Sequence, residues 1–151
     1  MKKSVDYLNE IVISYNKKLL NNSAVNTSEN AVIMAREIFR QTDSNPDLKE
    51  YFFVLMFNSG NLTIGFLKVS EGGISGTVVD NRLIFATALK CLATGLILVH
   101  NHPSGVLKPS SQDIEATTKI KSAAKLFDLR LLDHIILSSD SYFSFSDEGI
   151  L

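Results

Sequence analysis

The chain has 151 residues, of which 45% are hydrophobic and 21% charged, a composition typical of one soluble globular domain with a sizeable core. Its formal net charge of −1 gives no indication of a broad basic surface for non-specific DNA binding, but it does not exclude a local basic patch. The single cysteine excludes an internal disulfide and a cysteine-rich zinc module. No apolar stretch approaches the roughly 20 residues that cross a bilayer, and no signal-peptide core follows the basic start. We therefore expect a cytoplasmic protein without a membrane partner, and its oligomeric state stays open.

The first predicted elements are a short strand and a helix. The β-branched residues at 11–15 suit a strand. Thr27 or Ser28 can cap a helix, because apolar residues follow at helical spacing. Those residues are Ala31, Met34, Ala35 and Ile38. The polar stretch at 42–47, which contains a proline, ends this helix.

A hairpin and a second helix are predicted next. Residues 51–57 are almost continuously apolar, as in a central strand that is buried on both faces. The turn residues at 58–61 lead to a returning strand over 62–69. A glycine pair then precedes a shorter strand at 75–79, and Asp80 caps the second helix. The predicted buried face of that helix consists of Ile84, Thr87, Ala88, Cys91 and Leu92.

The last third of the chain predicts a core strand, a third helix and two closing strands. Gly95 is expected at the C′ position, just past the end of the second helix. The core strand covers 96–99, the helix 111–127, and the closing strands 129–137 and 142–145. The predicted buried residues of the third helix are Ala116, Ile120, Ala123, Ala124 and Phe127. Three helices and a mixed β-sheet indicate an α/β sandwich.

Two of the three histidines are separated by one residue at the end of the predicted core strand. Because side chains alternate along a strand, His100 and His102 would point to the same side. Asp113, in the first turn of the next helix, can complete a set of two nitrogens and one carboxylate, which is the composition of a catalytic zinc site. The pattern thus predicts a metal-dependent hydrolase. The plainer alternative is that all three are ordinary polar groups of a loop and a helix terminus.

Other polar residues have two interpretations each. A hydrolytic metal site needs a base for the metal-bound water, and Glu50, directly before the apolar strand, is either that base or a solvated strand end. Ser110 either donates to a developing oxyanion or caps a helix. His134 is expected to be structural or to support a ligand, and Cys91 to be a small core residue. Arg82 either pairs with an acid near the site or is an exposed helix charge.

Two other enzyme classes that use histidine-rich motifs are excluded. A zinc nucleobase deaminase needs His-x-Glu and a Pro-Cys-x-x-Cys pair, but position 102 is histidine and the chain has one cysteine. An amidohydrolase on a TIM barrel needs about 200 residues or more to close the barrel.

The motif resembles a known family. His100-Asn101-His102, followed after seven residues by Ser110 and after two more by Asp113, is similar to the JAMM motif of MPN/JAB-domain metalloproteases. The run from Val99 to Gly105 looks like the bacterial RadC-like JAB domain. Further similarities are Glu50 before Tyr51-Phe52-Phe53-Val54-Leu55, the pair Gly72-Gly73, Asp80 with Arg82, and Asp133-His134-Ile135-Ile136.

The resemblance implies a fold and a set of residue roles. The fold is a cytidine-deaminase-like JAB/MPN sandwich, a mixed sheet flanked by helices, over residues 48–151, with a strand and helix from 1–47 packing on the same domain. In this family, residues matching His100, His102 and Asp113 would hold Zn²⁺. Glu50 would be the general acid/base and Ser110 the oxyanion stabiliser. The implied reaction is hydrolysis of a peptide or isopeptide bond in a protein or peptide substrate.

A second function on the same fold is a noncatalytic interaction module in a DNA-repair or mobile-element complex. Longer members carry an N-terminal helix-hairpin-helix segment suited to DNA. Too little sequence precedes Glu50 for that segment, so we expect it to be absent. Retention of the three ligands together with Glu50 and Ser110 favours the enzyme, because a scaffold has no physical need for an open metal site.

Overall fold

The computed structural model describes residues 24–42, 44–72 and 78–151. Within these ranges it contains three helices and five strands. In chain order they are α1 (Ser28–Gln41), β1 (Tyr51–Phe57), β2 (Thr63–Glu71), α2 (Asn81–Lys90), β3 (Gly95–Asn101), α3 (Ser111–Lys125), β4 (Arg130–Leu137) and β5 (Tyr142–Ser144). The strand predicted at 11–15 lies outside the described residues, as does most of the strand predicted at 75–79. The described end of the latter, Val78 and Val79, is not in a strand.

The five strands form one mixed sheet in the order β2-β1-β3-β4-β5. Strand β1 is antiparallel to both β2 and β3, β3 is parallel to β4, and β4 is antiparallel to β5. Helix α3 lies in the connection between the parallel strands, as such a crossover requires. The predicted α/β fold with a mixed sheet flanked by helices is therefore confirmed.

Helices cover both faces of this sheet. One core cluster joins α1 to the side chains of Phe53, Leu55 and Phe57, and a second joins α2 and α3 to Phe52, Val54 and Met56. All seven residues of β1 are consequently buried, as predicted for a central strand. None of the helices in the described ranges is both long and apolar enough to cross a bilayer.

Side-chain caps begin the first two helices where the sequence predicts them. The hydroxyl of Thr27 accepts a hydrogen bond from the backbone N–H of Asn30 at 3.2 Å, at the start of α1. The carboxylate of Asp80 accepts one from the backbone N–H of Arg82 at 2.9 Å, at the start of α2. These contacts satisfy N–H groups that have no partner within the helix itself.

The end of α2 differs from the prediction. The helix ends at Lys90, and Leu92, not Gly95, takes the left-handed position just past the cap, with φ of 56°. Leu92 is consequently turned outward and is 74% exposed, so its predicted burial is wrong. Gly95 instead begins β3, where a Cβ atom would lie 3.0 Å from the Cδ1 atom of Leu132. The glycine thus allows close packing between neighbouring strands and does not terminate the helix.

Helix α3 buries a narrower face than predicted. Its buried residues are Thr117, Ile120 and Ala124, which recur at the spacing of one helical face. Phe127 lies beyond the helix and is 46% exposed, so its predicted burial is wrong. Its ring still contacts Phe85 of α2, with centroids 5.6 Å apart. The prediction chose residues by apolarity and therefore missed a buried threonine.

Candidate metal centre

Strand β3 carries the histidine motif to the end of the sheet. The strand is buried over its whole length, and His100, its penultimate residue, is 1% exposed. His100 is paired with Phe52 of β1, and the two rings stack with centroids 5.9 Å apart. His102 follows directly after the strand and is partly buried. The alternation of side chains places both rings on the face covered by α2 and α3.

Three ligand atoms converge at this end of the sheet. The Nε2 atom of His100 lies 2.9 Å from Nε2 of His102 and 3.1 Å from Oδ1 of Asp113. His102 Nε2 is 3.6 Å from Oδ2 of the same carboxylate. A tetrahedral zinc ion with bonds of about 2.0–2.1 Å sets neighbouring ligands about 3.3 Å apart. The His100–His102–Asp113 group could therefore hold a metal ion.

The hydrogen bond at Nδ1 of His102 determines which ring nitrogen carries the hydrogen and which is free to bind a metal ion. Its Nδ1 atom contacts the backbone oxygen of Val106, which can only accept, so Nδ1 carries the hydrogen. A neutral His102 then presents a lone pair at Nε2. The hydrogen bond with Asp113 raises the pKa of His102, and burial opposes that shift. A cation is thus favoured between the ring and the carboxylate, and a metal ion would replace the proton there. This nitrogen, nitrogen and carboxylate set fits Zn²⁺.

Asp113 is oriented by the start of its own helix. Burial acts to raise the pKa of Asp113, but the hydrogen bonds with His100, His102 and Ser110 outweigh it and hold that pKa well below its ordinary range. Its Oδ2 atom accepts from the backbone N–H of Ser110 at 2.7 Å and from the Ser110 hydroxyl at 2.6 Å. In return, the Ser110 oxygen accepts from the N–H of Asp113 at 3.1 Å. This reciprocal capping box begins α3 and keeps the carboxylate ionised and directed to the centre.

The same contacts bear on the two interpretations of Ser110. The helix-cap interpretation is observed directly. The single hydroxyl hydrogen is donated to Asp113, so donation to an oxyanion would require that hydrogen bond to break. The oxyanion role of Ser110 stays a prediction.

Glu50 lies directly before β1 and is partly buried. Burial raises the pKa of the Glu50 carboxyl, and the charges of His100 and His102 oppose the shift. The candidate ligands therefore contribute to the electrostatic environment of this carboxyl. A raised pKa brings the group closer to the range in which it can take up and release a proton near neutral pH.

Asn101, which lies between the two histidines, was not singled out by the sequence analysis. Its Oδ1 atom accepts from the backbone N–H of Tyr51 at 2.8 Å. Its Nδ2 atom donates to the backbone oxygens of Pro46 and Lys49, each at 2.7 Å. These hydrogen bonds hold the backbone on both sides of Glu50. The sequence offered only its place between the two histidines, just past the predicted core strand at 96–99. Its burial, which requires partners for the amide, is a feature of the tertiary structure.

The remaining predicted residues lie as follows. His134 is fully buried and hydrogen-bonded to His100 at 2.8 Å, which fits the expected supporting position. Cys91 is a buried core residue of the second cluster. Arg82 forms an exposed ion pair with Asp80, the cap of its own helix, and matches the alternative of a surface charge.

With this geometry established, the chain can be placed among known proteins. It matches the family model of the RadC-like JAB domain over residues 25–150. The protein belongs to the RadC-like JAB domain family. The predicted resemblance is confirmed, and the match includes α1 as well as the region from residue 48 onward. The wider JAB superfamily includes the JAMM metalloproteases.

Bacterial relatives support the same assignment. The chain is 52% identical over 101 residues to a protein of Flavobacterium johnsoniae named UPF0758 protein, an alignment covering 67% of this chain and 44% of the relative. A UPF0758 protein of Porphyromonas gingivalis is 46% identical over 104 residues, covering 68% and 46%. One of Desulforudis audaxviator is 37% identical over 126 residues, covering 83% and 53%. The chain thus matches about half the length of these relatives, and their name specifies no reaction.

Proposed function

We propose that this protein is a zinc-dependent hydrolase of the JAMM type that cleaves a peptide or isopeptide bond. The observation that supports the proposal is the convergence of His100, His102 and Asp113. The pKa of the partly buried Glu50 also responds to the charges of these residues. Such a set leaves room for a fourth ligand, which is typical of catalytic rather than structural zinc sites. Family membership agrees with this chemistry, since the superfamily contains metalloproteases.

The residues divide the chemistry between them. The two histidines and Asp113 would hold the ion, and when bound, zinc would lower the pKa of a water ligand and polarise the scissile carbonyl group. Glu50 accepts a proton from the attacking water. It then delivers that proton to the leaving nitrogen as the C–N bond breaks. The raised pKa of Glu50 suits a group that must carry the proton between these two events.

The proposed substrate is a protein or peptide, and the proposed location is the cytoplasm. The near-neutral net charge gives no support to a general DNA partner. The alternative, a noncatalytic module in a DNA-repair or mobile-element complex, shares the fold and makes no use of the Glu50 proton.

A cleavage screen separates the two functions. Zinc-loaded wild type, Glu50→Gln and the exposed control Glu148→Gln are incubated with a peptide library and with isopeptide-linked peptides, and products are identified by mass spectrometry. We expect wild type and Glu148→Gln to cleave the same substrates, while Glu50→Gln retains zinc without cleaving. Cleavage by Glu50→Gln would remove Glu50 from the mechanism. Fully zinc-loaded wild type that cleaves nothing would favour the interaction module.

A further inference from the structure

A series of hydrogen bonds connects His100, through two buried side chains, to the backbone of Asp113. His100 Nδ1 lies 2.8 Å from Nε2 of His134, and His134 Nδ1 lies 2.6 Å from the hydroxyl of Thr117. The same hydroxyl lies 2.6 Å from the backbone oxygen of Asp113. This hydrogen-bond series thus begins at one candidate ligand and ends on the backbone of another. Neither Thr117 nor its buried position was anticipated from the sequence.

The direction of these hydrogen bonds follows from the Asp113 carbonyl. Two oxygens at 2.6 Å need a hydrogen between them, and a carbonyl has none to give, so the Thr117 hydroxyl donates to Asp113. A hydroxyl has only one hydrogen. Thr117 must therefore accept from His134, whose Nδ1 atom carries a hydrogen.

The state of His134 then decides that of His100. Neither ring nitrogen of His134 has a carboxylate partner among the described residues. An unpaired charge is costly in this fully buried position, so the ring is neutral. With its hydrogen on Nδ1, His134 offers a lone pair at Nε2 and accepts from His100 Nδ1. A neutral His100 is left with a lone pair at Nε2, the atom that faces His102 and Asp113.

Aromatic neighbours hold both rings in place. Phe52 stacks on His100 with an interplanar angle of 14°, and Phe145 stacks on His134 with centroids 4.6 Å apart and an angle of 19°. Thr117 is 4% exposed, so water has little access to the hydroxyl that ends this series. Because the rings are packed on their faces, their orientation is set along with the position of their hydrogens.

We propose that Thr117 and His134 are positioning residues that hold His100 in the tautomer with a lone pair at Nε2, ready to bind zinc. The inference deepens the proposed function and rests on its metal centre. Partners that orient a metal-binding histidine typically change metal affinity by about 10–100-fold when they are lost. Thr117 would exert this effect without contacting the ion or a ligand side chain.

Paired variants test the proposal through zinc affinity, measured by competition with a chromophoric chelator on purified metal-free protein. Thr117→Val removes the hydroxyl at nearly constant shape, and Thr117→Ser keeps a hydroxyl. We expect Thr117→Val to bind zinc about 10–100-fold more weakly than wild type, and Thr117→Ser to stay within about threefold of it. His134→Phe should weaken binding similarly, while His134→Gln, whose side-chain oxygen can accept from His100, should restore part of the affinity.

A second measurement reads the tautomer directly and does not depend on a variant that folds. Ring ¹⁵N chemical shifts of metal-free wild type contain signals from only three histidines. We expect His134 to carry its hydrogen on Nδ1. A hydrogen on Nε2 of His134, or equal zinc affinity in Thr117→Val and Thr117→Ser, would overturn the inference. Wild type that binds no zinc would overturn the proposed metal centre itself, which distinguishes the two failures.

Discussion

Asn101 accepts a hydrogen bond from the backbone N–H of Tyr51, with 2.8 Å between the side-chain oxygen and the nitrogen. This contact joins the end of β3, where the histidines lie, to the start of β1, where Glu50 lies. Because Asn101 also donates to the backbone oxygen of Lys49, both peptide neighbours of Glu50 are held by one side chain. One side-chain amide therefore ties the backbone around the candidate base to the strand that carries the candidate histidine ligands.

Replacing Asn101 by alanine is expected to destabilise the fold and displace Glu50. One buried and two partly buried backbone groups would lose their partner, and a cost on the order of 2–3 kcal/mol in the free energy of unfolding follows. Urea unfolding of the metal-free protein measures it. Asn26→Ala, at an exposed position, is the control. An unchanged free energy of unfolding in Asn101→Ala would show that these hydrogen bonds are replaced by water at no cost.

Zinc content tests the ligand set. We expect purified wild type to hold about one zinc per chain, and His100→Ala and Asp113→Ala to hold none, because two remaining ligands bind too weakly to survive dialysis. Metal analysis by mass spectrometry, with circular dichroism to verify folding, makes the measurement. Asp140→Ala, an exposed aspartate of the turn before β5, should keep its zinc. Full zinc content in both ligand variants would rule out this site.

The pH dependence of stability tests the buried state of His134. Burial lowers the pKa of His134 well below its ordinary value of 6.5. Below pH 6.5 the unfolded chain therefore takes up a proton that the folded chain does not bind. For His134 alone, the free energy of unfolding keeps its full value above pH 6.5 and decreases as the pH falls below it. His102, whose pKa is raised, acts in the opposite sense in wild type. A variant without His134 is therefore needed to isolate its effect.

We expect the free energy of unfolding of metal-free wild type to fall more steeply than that of His134→Gln between pH 6.5 and pH 5. The difference in slope is at most about 1.4 kcal/mol per pH unit. Urea titrations at fixed ionic strength measure both slopes. Parallel slopes would mean that His134 titrates normally in the folded protein.

Leu92 offers a test at a distance from the candidate centre. Its φ of 56° is costly for a side chain with a Cβ atom, and its side chain is 74% exposed. Leu92→Gly should therefore raise the free energy of unfolding by about 1 kcal/mol, since little packing is lost. Leu89→Gly, inside α2, should lower it by about 1 kcal/mol. Destabilisation by Leu92→Gly would show that the exposed leucine makes contacts worth more than the backbone strain.

Local sequence signals predicted most elements of the fold. The caps at Thr27 and Asp80 and the apolar run of β1 depend on neighbours within a few positions, and the structure confirms them. The signal failed at the end of α2, because glycine is the usual residue in a left-handed position and Leu92 occupies it instead. Glycine is needed at position 95 because neighbouring strands pack closely there, and not because a helix ends at that position.

The sequence by itself determined the identity of the candidate ligands, because His100, His102 and Asp113 fall within one short segment whose strand, loop and helix can be inferred locally. Only the tertiary structure decided what surrounds them. The contact of His100 with His134 spans 34 positions and depends on the parallel pairing of β3 with β4, and that of Asn101 with Tyr51 spans 50 and depends on the antiparallel pairing of β3 with β1. The partner of a buried polar group is set by which strands become neighbours, and periodicity along one chain does not encode that choice.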